Sequence, residues 1–261
     1  ILIFTQYNKG MKEYFTKFLN CGRNSLRFII RTYNIKEIYV PYYTCPSVWQ
    51  AIKRENCQIR FYHIDRNFLP TIEFSKDSYI LYTNYFGINS KNVFDMAKKY
   101  QNLIIDNAHA YYMPQIGLAG FNSIRKFLPT PDGSIVYTTK ENKTIYPPDE
   151  SHINLTNTNF RNRDFDISDD IKSVSNKTVE LLKKIDIDLN KKNHLERFYE
   201  LEKRYRDTNM LKITLGEYDI PYIYPYLSEN KINEPYETFW NPQPINTVEG
   251  YFRKYLKGII L

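Results

Sequence analysis

The sequence predicts an α/β protein: a mostly parallel sheet flanked by helices, followed by a smaller C-terminal α+β domain. Three observations carry this expectation. Short apolar runs of strand length, such as Leu103-Ile104-Ile105, alternate with amphipathic stretches of helix length. Those runs end in polar or turn-forming residues, among them Pro41, Asn84 and Asp106, as strands buried on both faces do where they reach a crevice. After a polar stretch rich in Asn and Thr, the pattern changes to two helices and a tail of short strands. With 261 residues, 42% of them hydrophobic and 25% charged, the chain suits one large domain or one plus a smaller one.

Taken in order, residues 1–20 read as an N-terminal arm with a short helix, Met11 to Phe18. Gly22 precedes a helix whose Leu26, Ile29, Ile30 and Tyr33 form one apolar face. Glu37 to Val40 is a strand ending at Pro41; Tyr42, Tyr43 and Thr44 then lie at the mouth of the sheet, before a helix from Pro46 to Glu55. Strands follow at Gln58–Ile64 and Tyr79–Thr83, the second delivering Asn84-Tyr85-Phe86-Gly87 to the same edge. A helix from Lys91 to Tyr100 leads to Leu103, and right-handed crossovers between such units make the sheet parallel. Gly120–Ser123 and Ser134–Thr138 supply two more strands.

The polar stretch Thr139–Phe165 reads as a connection that also reaches a partner subunit. Asp169 and Asp170 are expected to start a helix with Ile171, Val174, Thr178, Leu182 and Ile185 on one face. The next helix turns Leu195, Phe198, Leu201 and Tyr205 inward, with Glu200 and Arg204 as an i, i+4 pair. The expected division is a large domain over 1–147, a connection and helix over 148–190 as a subunit interface, and a smaller domain over 191–261.

Composition excludes several classes. The net charge is +7, but 36 basic and 29 acidic residues are interspersed, and no nucleic-acid motif is present, so nucleic acid is not an expected partner. A mildly positive surface favours anionic ligands such as nucleotide-sugars. Cys21, Cys45 and Cys57 have no paired spacing and fit a reducing compartment; the four histidines are scattered, which excludes zinc spacing. No apolar run reaches membrane-spanning length and no signal peptide is visible, so a cytoplasmic location without membrane attachment is expected.

The residues that carry chemistry cluster between Leu103 and Ser134. Asp106 ends an apolar strand, His109 follows three residues on, and Lys126 lies in a segment rich in turn formers. Each alone has a plainer reading: an Asp closing a strand is commonly a turn former, and a loop Lys is commonly solvated. Together they suit pyridoxal phosphate. A lysine amine bonds to the cofactor's aldehyde, and an aspartate keeps the pyridine nitrogen protonated. No metal site is expected.

Five segments extend the argument. Ile104-Ile105-Asp106-Asn107-Ala108-His109-Ala110 resembles the D-x-x-H/Q segment of the fold-type I enzymes that use pyridoxal phosphate, specifically the DegT/StrS-type sugar aminotransferases. Ser123-Ile124-Arg125-Lys126-Phe127, followed by Pro131-Asp132-Gly133, resembles the S-x-R-K and P-D-G-G segment of one branch. CGRNSL stands where that family has S-G-T-x-A-L, VPYYTCPSV where it has V-P-x-x-T, and NYFG where it has H-x-Y-G. The segments occur in the family's order over about residues 20 to 138.

The resemblance implies a fold-type I structure and a role for each residue. Lys126 would hold the cofactor covalently and carry the proton in amino transfer; Asp106 would pair with the ring nitrogen; His109 would lie by the ring oxygen or face. Ser123 and the amides of Gly22, Arg23 and Asn24 would hold the phosphate, although an ordinary helix start at Gly22 reads the same way. The family's ring-stacking aromatic falls at Cys45, a departure that leaves Tyr43 as the candidate. Arg125 reads as a surface charge in preference to a phosphate or substrate contact. The implied reaction moves an amino group from glutamate to a keto-sugar nucleotide in a homodimer. A relative without catalysis, kept for binding or assembly, is the alternative; Cys45 and Ser134, in place of the family's second glycine, speak for it. A dehydratase of the same family is disfavoured by Lys126, because a histidine commonly stands there. Family members carry more chain beyond a point like Leu261, so a truncated C-terminal domain is expected.

Overall fold

The structure, a computed structural model, describes residues 13–151, 167–240 and 246–261. Its centre is a seven-stranded sheet in the order β1-β7-β6-β5-β4-β2-β3. These strands are β1 (Phe15–Leu19), β2 (Glu37–Pro41), β3 (Gln58–Tyr62), β4 (Ile80–Thr83), β5 (Leu103–Asn107), β6 (Ala119–Asn122) and β7 (Ser134–Thr138). From β3 to β6 all neighbours are parallel, whereas β7 runs antiparallel to both β6 and β1. The expected parallel α/β sheet is therefore present. Its central strands β4 and β5 are buried throughout, which is why they read as continuous apolar runs.

Helices α1 (Gly22–Tyr33), α2 (Pro46–Arg54) and α3 (Ser90–Lys99) supply the crossovers. On one face, Leu26, Ile29 and Ile30 pack over Ile38, Leu81 and Ile104. The other face carries an aromatic core including Tyr43, Tyr62, Tyr82, Tyr85 and Phe86. A short helix α4 (Ile124–Phe127) bridges β6 and β7. The C-terminal part adds α5 (Asn176–Leu182), α6 (Ile187–Tyr205), α7 (Val248–Tyr255) and a second, three-stranded sheet. That sheet has the order β8 (Ile223–Leu227), β10 (Leu256–Ile260), β9 (Tyr236–Glu237). Among the described residues, no helix is long and apolar enough to cross a membrane.

Three expectations are corrected. Met11 lies outside the described residues, and the remainder of its expected helix is strand β1, paired from Phe15↔Thr138 to Leu19↔Ser134. Pairing with a distant strand overrides a local helical tendency. The helix expected from Asp169 begins instead at Asn176, capped by Ser175, whose side chain accepts from the Thr178 amide. Asp169 is engaged elsewhere, in ion pairs with Arg54 (2.7 Å) and Arg23 (3.6 Å). On α6, Phe198 and Leu201 are buried as expected, but Arg204 pairs with Glu234, and Glu200 with Arg197. The stronger partner for Arg204 comes from a distant loop.

The Pro131-Asp132-Gly133 segment locks α5 to the sheet. Asp132 is fully buried and accepts from the Ser175 amide (2.9 Å), the Ser175 hydroxyl (2.8 Å) and the Thr178 hydroxyl. Asp132→Ala strips these buried donors of their acceptor and is expected to destabilise the protein by about 3 kcal/mol in urea unfolding. A loss below about 1 kcal/mol would show that the anchoring is dispensable.

Candidate active site

The site lies at the carboxyl ends of the parallel strands. Burial of Leu103, Ile104 and Ile105 carries β5 through the core and delivers Asp106, only 5% exposed, to its edge. Asp106 Oδ1 accepts from the Ala108 amide at 2.9 Å, which turns the chain toward His109. Burial pushes the Asp106 carboxyl up to about 6; the Ala108 amide and the Lys126 charge pull the other way and are outweighed.

Lys126 sits on α4, half-buried. Burial lowers the pKa of its amine, and Arg125 lowers it further, against the opposing pull of Cys45, Asp106 and Glu237. The nitrogen makes no hydrogen bond or ion pair among the described residues; it lies 5.1 Å above the centre of the Tyr222 ring. A lysine whose amine is easier to deprotonate is a better nucleophile toward a carbonyl.

The first turn of α1 meets this segment. A Cβ on Gly22 would stand 3.4 Å from the Phe121 ring and 3.7 Å from the Asn122 carbonyl, so the helix start lies against the end of β6, next to Ser123. Cys21 precedes α1 without a side-chain capping hydrogen bond, its thiol donating instead to Asn20, and the first amides of a helix have no acceptor within it. The side chains of Arg23 and Asn24 serve another purpose. Asn24 donates to the carbonyls of Ser168 and Asp170, and Arg23 to that of Ile167, tying that segment to the helix start. Only the backbone at these two positions is left to face an anion. Arg125 corrects the surface reading: it is 7% exposed and lies near Cys21, Cys45 and Tyr222, and burial lowers the pKa of its guanidinium. A buried guanidinium beside a helix N-terminus makes this corner strongly attractive to an anion.

His109 is buried within an aromatic stack. Its ring lies 4.9 Å from Tyr222, 5.6 Å from Trp240 and 5.8 Å from Phe86, all within 24° of parallel. Burial holds its pKa well below the usual histidine value, so the imidazole is neutral, and its buried Nδ1 has no hydrogen-bond partner. Tyr43 is displaced from its expected stacking role. Its ring is 1% exposed and packs on Trp240 (4.7 Å) and Phe252 (5.7 Å). Cys45 is the β2-side residue that faces Lys126 electrostatically. Ser134 donates to the Asn122 carbonyl at 2.5 Å, so a hydroxyl braces the turn where glycine was the pattern.

Tyr222, Trp240 and Glu237 were not identified from the sequence. They come from the C-terminal part, and nothing in their local pattern marks them. Two backbone features let this part reach the site. Gly87, at φ 74°, comes so close to the carbonyls of His109 and Ile220 that no Cβ would fit. Phe86 and Trp240 hold left-handed φ of 59° and 62°, a conformation that bulky residues rarely adopt.

No family model and no curated protein matches the sequence. Solved structures do match. A DegT DnrJ EryC1 StrS aminotransferase from Brucella abortus superposes with a TM-score of 0.66 at 12% identity, over 96% of this chain and 81% of that one. Helicobacter pylori PseC, an aminotransferase involved in the biosynthesis of pseudoaminic acid, gives 0.62 at 14% identity, over 96% and 81%. The GDP-4-keto-6-deoxy-D-mannose-3-dehydratase of E. coli, with bound hydrated PLP, gives 0.62 at 14% identity, over 95% and 84%. The chain has the fold of these proteins, and the fold-type I expectation is borne out.

A raised carboxyl pKa has a consequence for stability. The folded state binds the Asp106 proton more tightly than the unfolded chain does, so its penalty is absent below about pH 4 and grows as pH rises through about 6. At pH 7 the penalty approaches about 3 kcal/mol. Asp106→Asn is therefore expected to stabilise the ligand-free protein at pH 7 but not at pH 4, in urea titrations of both proteins. An equal effect at both pH values would contradict this.

Proposed function

We propose that the protein is a pyridoxal-phosphate-dependent aminotransferase of the DegT/StrS type. It moves an amino group from an amino-acid donor, glutamate by family expectation, to a keto-sugar nucleotide used for surface polysaccharide or glycan synthesis. The observation that carries this reading is Lys126, desolvated and facing a buried carboxylate where the parallel strands end. The sugar substrate is inferred from the names of proteins sharing the fold.

The residues fit the cofactor at three corners. Asp106 is a buried carboxyl pushed up to about 6, and a protonated ring nitrogen beside it would restore its charge. The α1 amides, Ser123 and the buried Arg125 suit a phosphate dianion. His109 offers a buried nitrogen without a partner to the ring oxygen. When bound, pyridoxal phosphate supplies an aldehyde and a ring that takes up electron density.

The chain's own groups do the rest. Lys126, with its lowered pKa, would hold the cofactor through its amine and, once displaced by the donor's amino group, would take up and return the proton of the donor's Cα. Asp106 would hold a proton on the ring nitrogen, and the aromatic cluster around His109 keeps water from that side. A protein kept only for binding has no use for a lysine beside a buried carboxylate, which weakens the alternative. A homodimer, with residues 148–190 at the subunit boundary, belongs to the same proposal.

Two experiments test it. Borohydride reduction of the protein with pyridoxal phosphate is expected to fix the cofactor on Lys126 in a peptide mass spectrum; label on another lysine, or none, removes the assignment. Asp106→Asn should fold yet lose turnover by at least about a thousandfold, because an amide cannot hold the ring nitrogen protonated. Near wild-type turnover would reject that role for Asp106.

A further inference from the structure

We propose that Tyr222, on the segment leading into β8, is the positioning residue for Lys126: its ring face carries the amine, and its stack on His109 fixes that face at the β5 edge. The proposal rests on the reading of Lys126 as the reactive lysine.

The geometry is specific. Lys126 Nζ stands 5.1 Å above the Tyr222 ring centre. The same ring stacks on His109 at 4.9 Å and 24° and touches Phe127, the residue after the lysine, at 5.7 Å. Tyr222 is itself immobilised: it is 3% exposed, and its amide donates to the Phe86 carbonyl at 2.9 Å. Helix α6 braces both partners from behind. Asn190 donates to the Phe127 carbonyl at 3.0 Å, and His194 Nδ1 lies 3.1 Å from the Pro221 carbonyl.

A lysine side chain is long and loses much rotamer freedom when held in one place. With no hydrogen bond to fix its nitrogen, the ring face is the contact that selects one conformation. An aromatic face also attracts the ammonium form, so Tyr222 works against desolvation and keeps the amine's pKa from falling further. The other charged or titratable groups acting on the amine are Asp106 from β5, Cys45 before α2, Arg125 on α4 and Glu237 on β9.

The test uses the ligand-free full chain. Reductive methylation with carbon-13 formaldehyde gives each lysine an NMR signal, and Lys126→Arg identifies that of Lys126. Its pKa is expected to fall by about half a unit to one unit in Tyr222→Leu and to stay near wild type in Tyr222→Phe, which keeps the face. Asp106→Asn should also lower it, which checks that the signal reports the site. Should Tyr222→Leu fail to fold, Tyr222→Trp is expected to keep the wild-type pKa. An unchanged pKa in folded Tyr222→Leu, or an equal fall in the Phe or Trp variants, overturns the proposal. Borohydride labelling with pyridoxal phosphate is carried out on unmethylated protein and read separately. Loss of labelling in the wild type rejects the enzyme reading, while the pKa pattern decides the role of Tyr222.

Discussion

The structure depends on a carboxylate taken out of water at the end of a buried strand. Asp106 rides to the sheet edge on three apolar residues that have no exposure. A lone charge there is unfavourable, which is why its pKa rises and why the neighbourhood gathers cationic and dipolar groups. Lys126 answers it across the edge, and its own desolvation lowers its pKa in turn. Neither group is at rest in the ligand-free protein.

The start of α1 obeys a different constraint. An α-helix ends in amides that need acceptors, and α1 begins with glycine after a cysteine that provides no cap. Its side chains at Arg23 and Asn24 face away and hold the 167–170 segment, with Asn20 and the fully buried Asp149 in the same network. Asp149 keeps its charge through these hydrogen bonds, which hold its pKa low despite burial. The network thus serves the helix start from behind and leaves its front to backbone amides and Arg125.

The C-terminal part closes the site with rings. His109, Phe86, Trp240 and Tyr222 form one parallel set, while Tyr43 supports Trp240 edge-on. Offset stacking favours such pairs beyond the area they bury. Left-handed backbone at Phe86 and Trp240 shows that this packing overcomes local preference.

By itself the sequence determined the parallel strands, the crossover helices and the three polar positions that matter most: Asp106, Lys126 and the Gly22 helix start. The strands and Asp106 are legible because burial on both faces writes continuous apolar runs and the residue ending such a run must stand at the edge; Lys126 and the Gly22 helix start were marked only by the resemblance of their segments to a known family. Tertiary structure alone decided the rest. Phe15–Leu19 became a strand only because β7 lies beside it. Arg125 and Lys126 are neighbours on one short helix, yet packing buries the guanidinium and brings the lysine amine, on a residue that is itself half-buried, over the Tyr222 ring. Tyr222 and Glu237 reached the lysine from the second sheet and the segment leading into it, whose local pattern says nothing of chemistry. Periodicity records which face of an element is covered, but not which distant residue covers it; that choice belongs to packing across the whole chain.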